Sequence, residues 1–198
     1  FTASLLSAQD WASASVVDGT NLVICISPAM KDAGSTNLLQ VVITDNGVPS
    51  LSSTQTVLLT VPDFVKVDLG STSVNAGQAG CVPITVSSSA SLTNVQFLVN
   101  VPDSSVVTAN VNPGVASICN GTVQTVSPTQ LRVALQACPG QFLTATQQQV
   151  GTLCLTVTNQ SGTVPLTLAQ VTAVELNGTP LTGQLGTSGL ITIISSNV

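Results

Sequence analysis

The sequence contains no histidine and no tyrosine, and Glu175 is its only glutamate. A nucleophilic serine or threonine needs a nearby base, and without histidine or a suitably placed lysine none is available. Hydrolysis by paired carboxylates would need two convergent acids, for which Asp103 with Glu175 is the candidate pair. No phosphate-binding glycine loop occurs either. The sequence therefore predicts a protein that is not an enzyme.

Positive charge is scarce, because Lys31, Lys66 and Arg132 stand against eight acidic residues and the net charge is -5. Three scattered cations cannot follow a phosphate backbone or hold an anionic lipid surface, so we expect no nucleic-acid binding and no membrane binding. No apolar run approaches the roughly 18 residues of a spanning helix, which predicts no membrane insertion. With only 6% charged residues, hydroxyl groups, glycans or neighbouring subunits must keep the surface soluble.

The sequence lacks a basic start followed by an apolar stretch, so it shows no signal peptide. Its first residue, Phe1, is not a natural start residue. We therefore expect the chain to be a mature product or part of a longer protein.

The apolar residues, mostly valine, leucine, isoleucine and alanine, come in short runs separated by serine, threonine, asparagine, glycine and proline. This pattern is typical of many short strands. Pro62 cannot donate a ladder hydrogen bond, so it ends one such run just before the next begins at Phe64. The sequence predicts an all-β protein of two β-sandwich units, residues 1–62 and 64–198.

In the first unit, strands are predicted at 21–26, 38–44 and 54–61, with turn residues at 45–50. The stretch 35–61, with its Thr-Asp-Asn-Gly turn before the last strand, resembles the end of bacterial cadherin-like and related immunoglobulin-like repeats. Such repeats usually span about 90 to 100 residues. The resemblance implies a partial sandwich without its first strands. Either the natural chain is longer or another chain supplies the missing strand.

Calcium often binds between cadherin repeats, where several carboxylates converge on one ion. Asp45, Asp63 and Asp68 are the candidates for such a site near the joint. The dense acidic clusters of calcium-dependent cadherins are absent from this sequence. The other interpretation is that these aspartates only cap turns, with no cofactor bound.

The second unit contains nine strand candidates separated by Asn-Gly, Pro-Gly and Ser-Gly turn signals. These are residues 65–69, 81–87, 95–101, 106–111, 122–126, 131–136, 150–158, 164–176 and 190–194. Their alternation of apolar and polar residues predicts an antiparallel sandwich of jelly-roll type.

The order of these features over residues 65–194 resembles a cohesin-type domain. The resemblance is carried by Gly77 with Cys81-Val82-Pro83-Ile84-Thr85-Val86, Leu131-Arg132-Val133-Ala134-Leu135, Gly151-Thr152-Leu153-Cys154-Leu155-Thr156-Val157 and Gly189-Leu190-Ile191-Thr192-Ile193. In that family such domains bind dockerin modules through one sheet face. The same fold also serves as a plain structural module.

Five cysteines without a Cys-x-x-Cys pair and without histidine favour disulfides over a zinc site, with free buried thiols as the alternative. Cys119 and Cys138 lie nine residues on either side of a hairpin turn at Pro128-Thr129, which predicts a bridge. Strict pairing would set Gln124 opposite Val133, so a bulge or a one-residue shift is expected.

Cys81 and Cys154 each alternate with core residues, so both side chains are expected on the outer surface of the sandwich. In the cohesin-type fold their strands are neighbours, and the resemblance therefore implies a second disulfide between them. Cys25 is left without a partner.

Asn120-Gly121-Thr122, Asn159-Gln160-Ser161 and Asn177-Gly178-Thr179 match the N-glycosylation pattern and fall at predicted turns. The alternative is that these residues only form tight turns, as Asn-Gly pairs commonly do.

Three functions are compatible with these features. The first is an extracellular structural glycoprotein, a self-associating subunit of a cell-surface assembly, adhesion stalk or filament joined by strand donation. The second is a cohesin-like module that docks a dockerin-type protein partner. The third is a carbohydrate-binding module, which would need Trp11 exposed on a flat face.

Overall fold

The computed structural model describes residues 1–6, 9–102, 106–157 and 161–194. Nearly all of these residues lie in β-strands or the turns between them. The chain divides into two compact units, Phe1–Asp63 and Phe64–Val198. Within the described ranges, no helix has the length and hydropathy that a membrane span requires.

The described part of the first unit forms five strands and one turn of 3-10 helix at Met30–Asp32. The strands are β1 (Thr2–Leu5), β2 (Ala12–Val17), β3 (Asn21–Ile26), β4 (Thr36–Thr44) and β5 (Ser52–Thr60). They build a three-stranded antiparallel sheet in the order β1-β4-β5 and a separate antiparallel pair, β2-β3.

The predicted turn between β4 and β5 is held by its own aspartate. The Asp45 carboxylate accepts hydrogen bonds from the N–H groups of Gly47, at 3.1 Å, and Leu51, at 2.8 Å. These bonds lower the pKa of Asp45, because they favour the charged form. Asp45 therefore holds the turn between β4 and β5.

The first unit has little interior. Among its described residues, the buried apolar side chains are Leu39, Val41 and, at the joint, Val61. Leu39 and Val41 share one face of β4, whereas Val57, opposite Leu39 on β5, is 38% exposed. The sandwich is thus open along β5.

The described part of the second unit forms twelve strands, three more than the sequence predicted. They are β6 (Val65–Leu69), β7 (Ser71–Asn75), β8 (Ala79–Ser88), β9 (Leu92–Asn100), β10 (Val106–Pro113), β11 (Ile118–Ser127), β12 (Gln130–Ala137), β13 (Gln147–Val157), β14 (Gly162–Glu175), β15 (Pro180–Thr182), β16 (Gln184–Leu185) and β17 (Gly189–Ile194). The short strands β7, β15 and β16 were not predicted, because they are polar or only two to three residues long.

Two sheets face each other in this unit. One has the order β10-β13-β8-β6-β16, and the other has the order β11-β12-β9-β14-β17-β7, with β15 beside β14. Most pairs are antiparallel, as predicted, but β16 pairs with β6, and β17 with β7, in parallel. Both parallel pairs join the end of the unit to its beginning, where no short hairpin connects the strands.

The space between the two sheets is filled by aliphatic side chains around Phe97. The three predicted inward sets on β8, β12 and β13 are all buried: Val82, Ile84 and Val86; Leu131, Val133 and Leu135; and Leu153, Leu155 and Val157. Each fully buried side chain of this kind contributes about 1.5–3 kcal/mol. This core fixes which side chains the two outer sheet surfaces present.

Candidate functional site

The outer side of strands β11, β12, β9 and β14 forms one continuous surface. Because side chains alternate along a strand, the residues between the core positions all point to this side. They are Asn120, Thr122, Gln124, Gln130, Arg132, Ala134, Gln136, Asn94, Gln96, Leu98, Asn100, Thr167, Gln170, Thr172 and Val174. We call this surface the amide face, since carboxamide and hydroxyl groups dominate it.

Arg132 lies at the centre of the amide face. The pairing register places Gln124, Arg132, Leu98 and Gln170 side by side across the four strands. With Gln96 and Thr172, the last three of these line a shallow depression of about 190 Å³. The centre of the face therefore combines one cation, one aliphatic side chain and several amides.

The Arg132 guanidinium has no acidic neighbour on this face. None of the residues that form the amide face carries a carboxylate, and the ion pair found among the described residues joins Lys66 to Asp68 instead. Arg132 is half-buried, with its positive charge unpaired within the described chain. Such a guanidinium can donate hydrogen bonds to a carboxylate or carbonyl group of another molecule.

A side-chain hydrogen bond and a disulfide link neighbouring strands of the amide face. The Gln130 side-chain amide donates to Asn100 Oδ1 across two strands at 2.9 Å. At the end of β11 and β12, Cys119 and Cys138 form a disulfide with their Cα atoms 4.8 Å apart. The pairing shifts by one position between Thr125 and Ser127, so that Gln124 lies opposite Arg132 and not Val133, and it shifts again beside Cys119. The sequence predicts a bulge or a one-residue shift in this hairpin, and the structure contains it.

The outer surface of the other sheet is organised around the second disulfide. Cys81 on β8 and Cys154 on β13 lie directly opposite each other, with Cα atoms 4.0 Å apart. The Asn112 amide donates to Cys154 Sγ at 3.4 Å. A depression of about 450 Å³ beside the disulfide is lined by Thr108, Asn110 and their neighbours. Arginine and lysine are absent from its lining.

The structure gives the candidate calcium ligands other roles. Asp45 holds its turn, and the Asp68 carboxylate accepts the Thr187 N–H and pairs with Lys66. Asp63 packs against Gly34, where its Oδ1 atom occupies the space a Cβ would need. In the part of the chain that the structure describes, no group of three or more histidine, cysteine, aspartate or glutamate side chains could share a metal ion.

The residues considered for catalysis and sugar binding are also placed. Glu175 is 8% exposed at the end of β14, and Asp103 lies outside the described residues. Trp11 is half-buried against a groove of the first unit instead of lying on a flat open face. Phe97 is buried in the core, whereas Phe142 is 38% exposed.

The remaining predicted positions are at the surface. Asn120 is exposed on β11 at the rim of the amide face, and Asn177 is exposed in the turn after β14. Asn159 lies outside the described residues. Cys25 is an exposed free thiol on β3.

The sequence reasoning did not single out Arg132 as a site residue. The signal was nevertheless present: Leu131, Val133 and Leu135 were predicted to face inward, so Arg132 had to face outward. The strand register that places Arg132 beside Leu98 and Gln170 could not be predicted from the sequence. Bulges in β11 and β14 help to set that register.

No family model matches the sequence, and no curated protein matches it. Solved structures do. The chain is similar to a cohesin of Clostridium acetobutylicum, with 16% identity and a TM-score of 0.55 over 68% of this chain and 93% of that one. The second unit has a cohesin-like fold. The share of this chain that is covered corresponds to the share that the second unit occupies.

Two further cohesins support this conclusion. One is the cohesin module of a Clostridium perfringens family 33 glycoside hydrolase, with 13% identity and a TM-score of 0.56 over 68% of this chain and 98% of that one. The other is the sixth cohesin of Acetivibrio cellulolyticus scaffoldin B, solved in complex with a dockerin, with 14% identity and a TM-score of 0.53 over 66% and 99%. At these identities the similarity shows the fold alone.

Proposed function

We propose that the second unit is a non-catalytic protein-binding module that docks a dockerin-type partner on its amide face. The observation that carries this proposal is Arg132, a cation without an acidic partner at the centre of an otherwise uncharged four-strand surface. Arginine is enriched among the residues that dominate binding energy at protein interfaces. The cohesin-like fold supports the proposal, because a solved neighbour is bound to a dockerin.

The amide face fits a partner better than the opposite outer surface does. Its centre offers an aliphatic contact at Leu98 beside a charge and hydrogen-bonding amides, which is the mixture found at non-obligate interfaces. On the opposite surface, Lys66 is already paired with Asp68, and Asn112 bonds to the disulfide. We therefore place the partner on the amide face, with an acidic or carbonyl group directed at Arg132.

The test is binding of the purified full chain to a panel of immobilised dockerin modules, with Arg132→Glu as the disrupting variant. Charge reversal at a buried contact should weaken binding by at least tenfold, because the partner group then faces a like charge. Asn110→Glu, which adds a carboxylate on the outer surface of the opposite sheet, is the control. No binding to any module, or equal losses in both variants, would overturn the proposal.

We propose that the first unit is the end of a cadherin-like or immunoglobulin-like repeat, with an assembly role at the cell surface. Its exposed edge strand β5 supports an assembly role, because Val57 and Leu58 leave apolar surface available for contact with another molecule. Two disulfides in the second unit support an extracellular, oxidising location. A filament joined by strand donation would have to break existing pairing at the described ends of the chain, because β1 already pairs with β4, and β17 already pairs with β14 and β7.

A further inference from the structure

Strand β5 of the first unit has an unprotected edge. Within the described residues it pairs with β4 alone, along nine consecutive positions and without a register shift. Its sequence, Ser-Ser-Thr-Gln-Thr-Val-Leu-Leu-Thr, contains no charge and no proline. Edge strands are normally protected by lysine, proline, bulges or short length, and β5 has none of these.

The hydrogen bonds at the two ends of the β4–β5 hairpin show which backbone groups of β5 point outward. The Val61 N–H donates to the Ser35 carbonyl at 2.8 Å, and the Asp45 N–H donates to the Leu51 carbonyl at 2.9 Å. Because bonded and non-bonded pairs alternate in an antiparallel ladder, odd-numbered residues of β5 bond to β4. The N–H and C=O groups of Thr54, Thr56, Leu58 and Thr60 therefore face away from the sheet.

Apolar side chains flank this edge on both faces. Leu58 lies opposite Leu38, and their side chains are 65% and 58% exposed. On the other face, Val57 is 38% exposed. The end of β5 nearest Val61 thus offers backbone hydrogen-bonding groups and apolar surface together.

We propose that β5 pairs with β5 of a second copy, antiparallel about a two-fold axis through Leu58. In this register Leu58 lies opposite its own copy, and Thr56 lies opposite Thr60 of the second copy. All three of these residues present outward N–H and C=O groups, so each donor meets an acceptor. The result is a continuous six-stranded sheet crossed by a row of four leucines, two copies each of Leu38 and Leu58.

A second copy is favoured over a different partner because the edge is complementary to itself. A two-fold contact brings identical residues together, so any charge near the axis would repel its copy. Neither β4 nor β5 carries a charged residue. The uncharged edge therefore allows the two-fold pairing of β5 with β5 without repulsion between like charges.

Sedimentation velocity of the full chain over a concentration series tests this pairing, in a Cys25→Ala background to exclude dimers linked through that thiol. We expect a monomer–dimer equilibrium. Leu58→Lys should weaken dimerisation at least tenfold, because two like charges would meet at the axis. Thr56→Pro should do the same while leaving β4–β5 pairing intact, since it removes only an outward N–H. Leu51→Lys, on a leucine that is 67% exposed outside β5, is the control.

The register is tested by oxidation of variants that carry one new free cysteine, in the same Cys25→Ala background with both disulfides intact. Leu58→Cys should give a disulfide-linked dimer, because residue 58 lies opposite itself. Thr54→Cys should not, since the two copies of residue 54 would be about 27 Å apart at ~3.4 Å per residue. A chain that stays monomeric, forms polymers insensitive to Leu58→Lys, or cross-links better at 54 than at 58 would overturn the proposal. Arg132→Glu should leave the dimer unchanged, which separates this result from partner docking.

Discussion

Asp68 and Thr187 lie 119 positions apart in the chain and are joined by a 2.7 Å hydrogen bond, in which the Thr187 N–H donates to the Asp68 carboxylate. Lys66 Nζ lies 3.2 Å from the other carboxylate oxygen. The contact ties the segment between β16 and β17 to β6, the first strand of the second unit. It therefore helps to close the sandwich where its last strands meet its first.

Acid should weaken this closure. Burial raises the pKa of Asp68, but the Thr187 N–H and the Lys66 ammonium lower it by more, so the pKa lies below its ordinary value. Stability from a depressed pKa is complete above the unfolded value of about 3.9 and is lost as pH falls through the folded value. We expect the melting temperature of the native chain to fall from pH 5 toward pH 2, and that of Asp68→Asn to fall less.

Thermal melts across this pH range give the measurement, with Asp18→Asn as the control for removing a carboxylate from an exposed turn. Equal acid sensitivity in the native chain and Asp68→Asn would show that Asp68 does not contribute to it.

The two disulfides should differ in what they contribute. The Cys81–Cys154 bridge spans 73 positions and the Cys119–Cys138 bridge spans 19. Closing a longer loop removes more entropy from the unfolded chain, which gives about 4 and about 3 kcal/mol in the loop-entropy description. Replacing both cysteines of a pair by alanine should therefore cost more for the first pair. Urea titration of the two double variants measures this, and the reverse order would contradict it.

Gly151 on β13 should not tolerate a side chain. A Cβ there would lie 2.5 Å from the Asn112 carbonyl oxygen of the neighbouring strand, a backbone atom that cannot rotate away. We expect Gly151→Ala to destabilise the chain by about 1–3 kcal/mol. Gly140→Ala is the comparison. A Cβ at Gly140 would meet open space, but the residue has a φ of 75°, a conformation that costs an alanine about 1 kcal/mol. Chemical denaturation should rank Gly151→Ala as the more destabilised variant.

Asn177 should be the better glycan acceptor of the two described sequons. It lies in an exposed turn, where its Oδ1 accepts the Thr179 N–H at 2.8 Å. Asn120 lies within the paired strand β11, next to the Cys119–Cys138 disulfide. Peptide mapping after secretion from a eukaryotic host should find higher occupancy at Asn177. A glycan placed on Asn120 should also reduce partner binding, because that residue borders the amide face.

The strands that carry the core could be predicted because their sequences alternate strictly. Residues 131–135 and 153–157 each place every second side chain inward, and the structure buries those side chains. Strand β7, at 71–75, could not be predicted, because its short and largely polar sequence gives no local signal. This segment forms a strand because it pairs with β17, more than a hundred residues later in the chain.

The candidate site was predictable only in part. Alternation indicated that Arg132 faces outward, and Arg132 is one of only three cationic side chains in the sequence. Its neighbours Leu98 and Gln170 depend on the pairing of three strands and on a bulge between Leu168 and Gln170. No local pattern in the sequence specifies such a long-range register.

The parallel pairing of β7 with β17 also sets an order of events during synthesis. The β4–β5 hairpin joins residues close in sequence, so the first unit can begin to form while most of the chain is still being made. The sheet that contains β7 is complete only after residue 194 has emerged, because β17 is its partner. Until then β7 lacks that neighbour, and the nascent second unit needs protection from aggregation for the whole time that its 135 residues are translated.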